Sequence, residues 1–224
     1  MSTNSLHLRK QALTFGWSLV LMAMLAGLGY GYFRGLLYFP TEAQASLDAH
    51  LTHTSVLWAE IATWFFIFLL DLLVAWSLFR FLSHRSLFWA RTIFYTRLIY
   101  SFILLFAIGQ LFRIGMSLSS LSADELLAFR LAFDQIWISG LVLFGFHLMS
   151  LGFLCWKLAD LPNFWAILLF LAGLSYTLIN GLKVLGLNEE AWLVSLEAVL
   201  AVPMTVGELG FGIWALWWAY KKLE

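Results

Sequence analysis

Six long apolar stretches alternate with short polar connections along this chain, at about residues 13–39, 56–82, 91–116, 131–158, 162–184 and 190–220. A helix needs about 20 apolar residues to cross the roughly 30 Å hydrocarbon core of a bilayer. Each stretch meets that length, and the longer ones predict tilt or an extra turn among the headgroups. The shorter alternating segments of a β-barrel are absent. The pattern predicts an all-α integral membrane protein, a six-transmembrane-helix bundle forming one membrane domain over residues 1–224.

The connections carry helix punctuation. Thr41-Glu42-Ala43-Gln44 after Pro40 and Ser122-Ala123-Asp124-Glu125 ahead of the fourth stretch both fit capping boxes, in which two side chains satisfy free amide donors. Asp160 and Pro162 open the fifth helix, and Asn188-Glu189-Glu190 opens the sixth with acids at the positive end of its dipole. Pro203 predicts a kink in the sixth helix. Gly27, Gly31 and Gly35 recur every fourth residue in the first and predict close helix approach.

Basic residues set the orientation. With the N-terminus inside, the cytoplasmic ends hold Arg9, Lys10, Arg80, Arg85, Arg91, Lys157, Lys221 and Lys222, against Arg34, Arg113, Arg130 and Lys183 outside. Eight against four, in short loops, predicts both termini in the cytoplasm. Trp17, Trp89, Trp156, Trp165, Trp217 and Trp218 then form an inner aromatic belt, and Trp58, Trp137 and Trp192 an outer one. The first stretch is far longer than a signal-peptide core, so it is expected to be a retained helix.

Composition agrees. The chain is 62% hydrophobic and only 12% charged, too few charges to cover a water-soluble fold. Lipid is therefore the expected partner, and a net charge of zero implies no nucleic acid. A homo-oligomer or a protein partner stays open. Cys155 is the single cysteine, which excludes an intramolecular disulfide and a thiolate metal cluster.

The informative residues are ionisable groups inside the apolar stretches: Asp71, Arg97, His147 and Glu208. Each costs at least about 2.5 kcal/mol at mid-membrane, so such groups persist where they pair or work. By rise per residue, His147 lies near the midplane, Asp71 and Glu208 about 3–5 Å toward the cytoplasm and Arg97 about 9 Å. An arginine can snorkel over such a distance, so the four can meet in one layer. Ser101, Ser150 and Thr205 share helical faces with these groups, and Tyr176 and Asn180 share a face of the fifth helix. One arrangement pairs Asp71 with Arg97 and leaves Glu208 and His147 sharing a titratable proton. The plainer one is a static polar knot that fixes helix register.

Weaker groupings are His50 and His53 beside Asp48, a surface metal pair or two solvated histidines, and Glu60, Gln110, Arg113 and Asp134, a solvated vestibule or interface anchors. No phosphate loop, zincin motif or nucleophile elbow occurs.

Gly140-Leu-Val-Leu-Phe-Gly-Phe-His-Leu-Met-Ser-Leu-Gly152, together with Val202-Pro-Met-Thr-Val-Gly-Glu-Leu209 and Asp71 before an apolar run, resembles a bacterial six-helix membrane family catalogued as domain of unknown function 4386. The resemblance implies a bacterial cytoplasmic (inner) membrane protein and importance for the positions of Asp71, Arg97, His147 and Glu208. It implies no activity. Three function classes follow from the residues: a small-molecule or proton-linked binding or transport protein using the buried cluster; a scaffold, sensor or partner subunit in which the cluster is structural; and a metal-assisted hydrolase using Asp71, His147 and Glu208. The absence of an internal repeat counts against many transporter folds. No cofactor is expected.

Overall fold

The structure, a computed structural model, describes residues 3–158, 161–187 and 190–221. Asp160, Asn188, Glu189 and Lys222 lie outside the described residues. Among those described, the regular elements are all helical: α1 (Thr3–Ala26), a π-helical segment (Gly27–Phe33), α2 (Arg34–Leu37), α3 (Ala43–Thr52), α4 (Thr54–Leu82), α5 (Leu87–Ser117), a 3-10 turn (Leu118–Ser120), α6 (Ala123–Trp156), α7 (Asn163–Val184) and α8 (Ala191–Lys221).

Six helices are long and apolar enough to span a membrane: Leu6–Leu37, Thr54–Leu82, Leu87–Ser120, Ala123–Trp156, Asn163–Val184 and Ala191–Lys221. Helices satisfy their own backbone polar groups, which lets so apolar a surface face lipid. Phe88, Phe106 and Met24 are accordingly exposed on the outside. The third and fourth helices run further than the apolar stretches predict, because the ends 87–90 and 123–130 are helical too.

The caps divide. Ser122 and Glu125 form the expected capping box on α6. Thr41–Gln44 does not form one: α3 starts after Glu42 without a side-chain cap, and Gln44 instead donates to Asp48. Ser46 ties this turn down by accepting from the Phe39 amide and donating to its carbonyl. Pro162 precedes α7, and α8 continues through Pro203.

Each long helix packs on its neighbours in chain order, and α8 returns to α1, so the six form a ring. Two packed zones hold the ring together. One joins Phe15, Phe81, Leu148, Leu169, Phe211 and neighbours. The other joins Leu57, Ile61, Leu111, Ile114, Leu126 and Phe133 toward the opposite end, and takes nothing from α7 or α8.

Small residues set the closest approaches. A Cβ at Gly145 would lie 2.5 Å from the Gly173 carbonyl oxygen, and one at Gly152 2.7 Å from the Phe170 amide nitrogen, so α6 and α7 touch backbone to backbone. Gly27, Gly31 and Gly35, expected to pack, face open space; Gly29 is the packed glycine of that segment, against Thr63 and Trp64. The widened π-helical turn changes which residues share a face, and a four-residue repeat read on an α-helix misses this.

Candidate functional site

Asp71 from α4, Arg97 from α5, His147 from α6 and Glu208 from α8 come together between the packed zones. Arg97 is the centre. Its Nη1 donates to Glu208 Oε1 at 2.8 Å, and its Nη2 lies 2.6 Å from Asp71 Oδ1. The Asp71 contact is an ion pair through Oδ1, and Oδ2 of this wholly buried carboxylate has no partner. The guanidinium also stacks toward the Phe144 ring, 5.4 Å from its centroid.

His147 stands behind this pair. Its Nδ1 is 2.9 Å from the Ile93 carbonyl oxygen, which can only accept, so Nδ1 carries the proton. Its Nε2 then accepts from Arg97 Nη1 at 3.3 Å. The expected pairing of Asp71 with Arg97 is present. The expected proton-sharing between Glu208 and His147 is not: Arg97 reaches both, and the histidine's two nitrogens are taken by Ile93 and Arg97. Helix-face arithmetic places residues in a layer but cannot tell which partner a long guanidinium will reach.

A cavity of about 270 Å³ adjoins the cluster, with walls from all six long helices. Asp71 and Glu208 line it, and Arg97 and His147 do not. Five aromatic side chains complete much of the wall: Trp64, Tyr100, Trp137, Phe144 and Tyr176. The Trp64 indole N–H is buried on the side facing Gly29, without an acceptor. The remaining lining is mostly aliphatic, from Leu19, Met22, Ile67 and Met204 among others.

Of the supporting polar residues, Thr205 and Tyr176 line the cavity. Ser101, Ser150 and Asn180 do not. Ser101 donates back to the Arg97 carbonyl and Asn180 to the Tyr176 carbonyl, both within their own helices.

The cavity reaches the surface between α1 and α8, where its lining residues Ala23 and Thr205 are exposed. These two helices close on each other only in the half nearer the chain termini. There a Cβ at Gly16 would meet Leu216, Gly212 abuts Leu19, and Arg9 donates to the Ala219 carbonyl. Beyond, α8 stays largely uncovered from Ala191 to Val206. Ala23 and Thr205 both fall near the middle of their helices.

A second ionic cluster, not anticipated as such, lies where α3 covers α4 and α6. Arg130 donates to both oxygens of Glu60, at 2.7 and 2.8 Å, and to His50 Nε2 at 2.7 Å. His50 Nδ1 faces the Ser46 carbonyl at 2.6 Å. His50 is therefore buried, not solvated, and burial followed by the adjacent Arg130 charge lowers its pKa to about 4. Glu60 and Asp134 do not form an open vestibule either: Asp134 holds Arg34 through both oxygens at 2.7 Å. Trp137, expected in the outer aromatic belt, packs inside against Trp64 and Phe133. The signal for these pairs was an arginine and a carboxylate on facing helices, each assigned instead to an interface. Among the described residues no three metal-ligating side chains converge, and Arg97 occupies the position a cation would need between Asp71, His147 and Glu208.

Fold and cluster together define a six-helix bundle of membrane-spanning character with an ionic centre and an adjoining cavity. The chain belongs to the family described as domain of unknown function (DUF4386), which matches residues 14–218. No curated protein and no solved structure matches it.

Proposed function

We propose that this protein is a membrane-embedded small-molecule binding or transport protein whose site is the cavity enclosed by the six helices. It sits in the bacterial cytoplasmic membrane with both termini inside. The observation that carries the proposal is the cavity itself, walled by every long helix and reaching two carboxylates. A purely structural knot has no need of such a space. The mouth at Ala23 and Thr205 opens at mid-depth, so lipid-dissolved molecules have direct access.

The test is a thermal-shift screen of the protein in lipid nanodiscs against small cationic, neutral and anionic amphiphiles. A ligand that binds only the folded state raises its melting temperature by mass action. Ala23→Trp fills the mouth from a surface-facing position. Compounds are expected to stabilise the wild type and to lose that effect in Ala23→Trp. If no compound separates the two proteins, the cavity is not a binding site.

A further inference from the structure

We infer that the cavity selects a monovalent organic cation with an apolar body, an amine or quaternary ammonium that enters from the lipid between α1 and α8. This rests on the binding proposal above and names the ligand class for the same site.

The charge count carries it. Asp71 and Glu208 face one guanidinium, that of Arg97, and His147 has the hydrogen pattern of a neutral imidazole. With both carboxylates ionised, one negative charge is left over, and among the described residues the two carboxylates are the only charged ones in the cavity wall. Arg97 is 1% exposed and does not line the cavity, whereas Glu208, 19% exposed, does. A ligand in the cavity therefore meets the Glu208 carboxylate first. Asp71 is wholly buried and ion-paired with Arg97 through Oδ1, and its Oδ2 has no partner.

The second ionic cluster is an internal control. It repeats the same parts, an arginine donating to a histidine Nε2 whose Nδ1 faces a backbone carbonyl. There one carboxylate, Glu60, meets one guanidinium, Arg130, through both oxygens. That cluster is balanced and does not line the central cavity. The excess carboxylate and the adjoining space occur together at the central cluster.

The rest of the wall fits the same class of ligand. Trp64, Tyr100, Trp137, Phe144 and Tyr176 present aromatic surface, and aromatic faces attract organic cations by about 0.5–2 kcal/mol per contact. Ammonium groups with alkyl substituents lose less hydration than a metal ion on leaving water, which suits entry through hydrocarbon. The space of about 270 Å³ restricts the ligand to a small one, since drug-sized pockets run from about 300 to 1,000 Å³.

The test compares benzyltrimethylammonium, its uncharged isostere neopentylbenzene and the anion benzenesulfonate. Binding to the wild type in nanodiscs is measured by titration calorimetry, with empty nanodiscs as the partition control. The cation is expected to bind at one site per chain at least tenfold tighter than either other compound. Glu208→Gln, at a partly exposed position, is expected to remove most of that preference, and Asp71→Asn provides a second variant. Equal binding of cation and isostere, or tighter binding of the anion, overturns the ligand class and leaves the cavity as a site. Absence of binding by all three overturns the class as well, and the thermal-shift screen then decides whether the cavity binds anything.

Discussion

Arg97 meets Glu208 along a well-directed N–H···O line at 2.8 Å and meets Asp71 at 2.6 Å through Oδ1 alone, which leaves Asp71 Oδ2 without a partner in a wholly buried place. One guanidinium thus serves two carboxylates unequally, and the worse-served one is the more deeply buried. Removing one partner of a buried ion pair costs about 3–5 kcal/mol, because a bare charge remains.

Arg97→Leu is therefore expected to destabilise the protein by about that amount, since it strands Asp71 and Glu208 together. Adding Asp71→Asn should recover part of the loss. Reversible unfolding in mixed micelles measures both. An Arg97→Leu variant as stable as wild type would show that the guanidinium does not hold the cluster.

His50 gives a pH signature away from the centre. Its pKa is lowered to about 4 in the fold against 6.5 for the free side chain, so the unfolded chain binds more protons between those values. Its contribution is complete above about pH 6.5 and is lost as pH falls toward 4, by on the order of 3 kcal/mol at most. His50→Gln retains an acceptor for Arg130 without the titration. The unfolding free energy of the wild type should fall relative to that of His50→Gln between pH 7 and pH 4.5, and a constant difference would contradict the buried neutral state.

The α6–α7 contact predicts unequal glycines. Gly145→Ala forces its Cβ against the Gly173 carbonyl and should cost about 1–3 kcal/mol. Gly31→Ala meets open space and should stay within about 0.5 kcal/mol. Melting temperatures of the two variants in the same detergent check this, and a larger loss for Gly31→Ala would place that face in a contact.

Helix existence was legible because apolar length alone decides it, and the Ser122–Glu125 box because its partners are adjacent in sequence. The meeting of Asp71, Arg97, His147 and Glu208 was legible from depth, since polar groups in six apolar helices have few places to go. Their pairing was not, because Arg97 spans the distance between helices and sequence does not fix where it ends. The pairing of Arg130 with Glu60 and His50 was not legible for a related reason: α3 folds back over α6, and a connection read as exposed became a lid on a buried pair. The stripe of Gly27, Gly31 and Gly35 failed where the backbone widened to a π-helix. Orientation in the membrane rests on loop charge.

The central claim is that a small ligand enters between α1 and α8 and rests against Asp71 and Glu208. Photo-crosslinking tests it most directly, using a small alkyl-diazirine trimethylammonium on the protein in nanodiscs, followed by peptide mapping. Labels are predicted on residues 19–26 and 204–209 and around Tyr176, and excess benzyltrimethylammonium should suppress them. Labels spread evenly over outward-facing residues such as Phe88 and Phe106, and indifferent to the competitor, would contradict it.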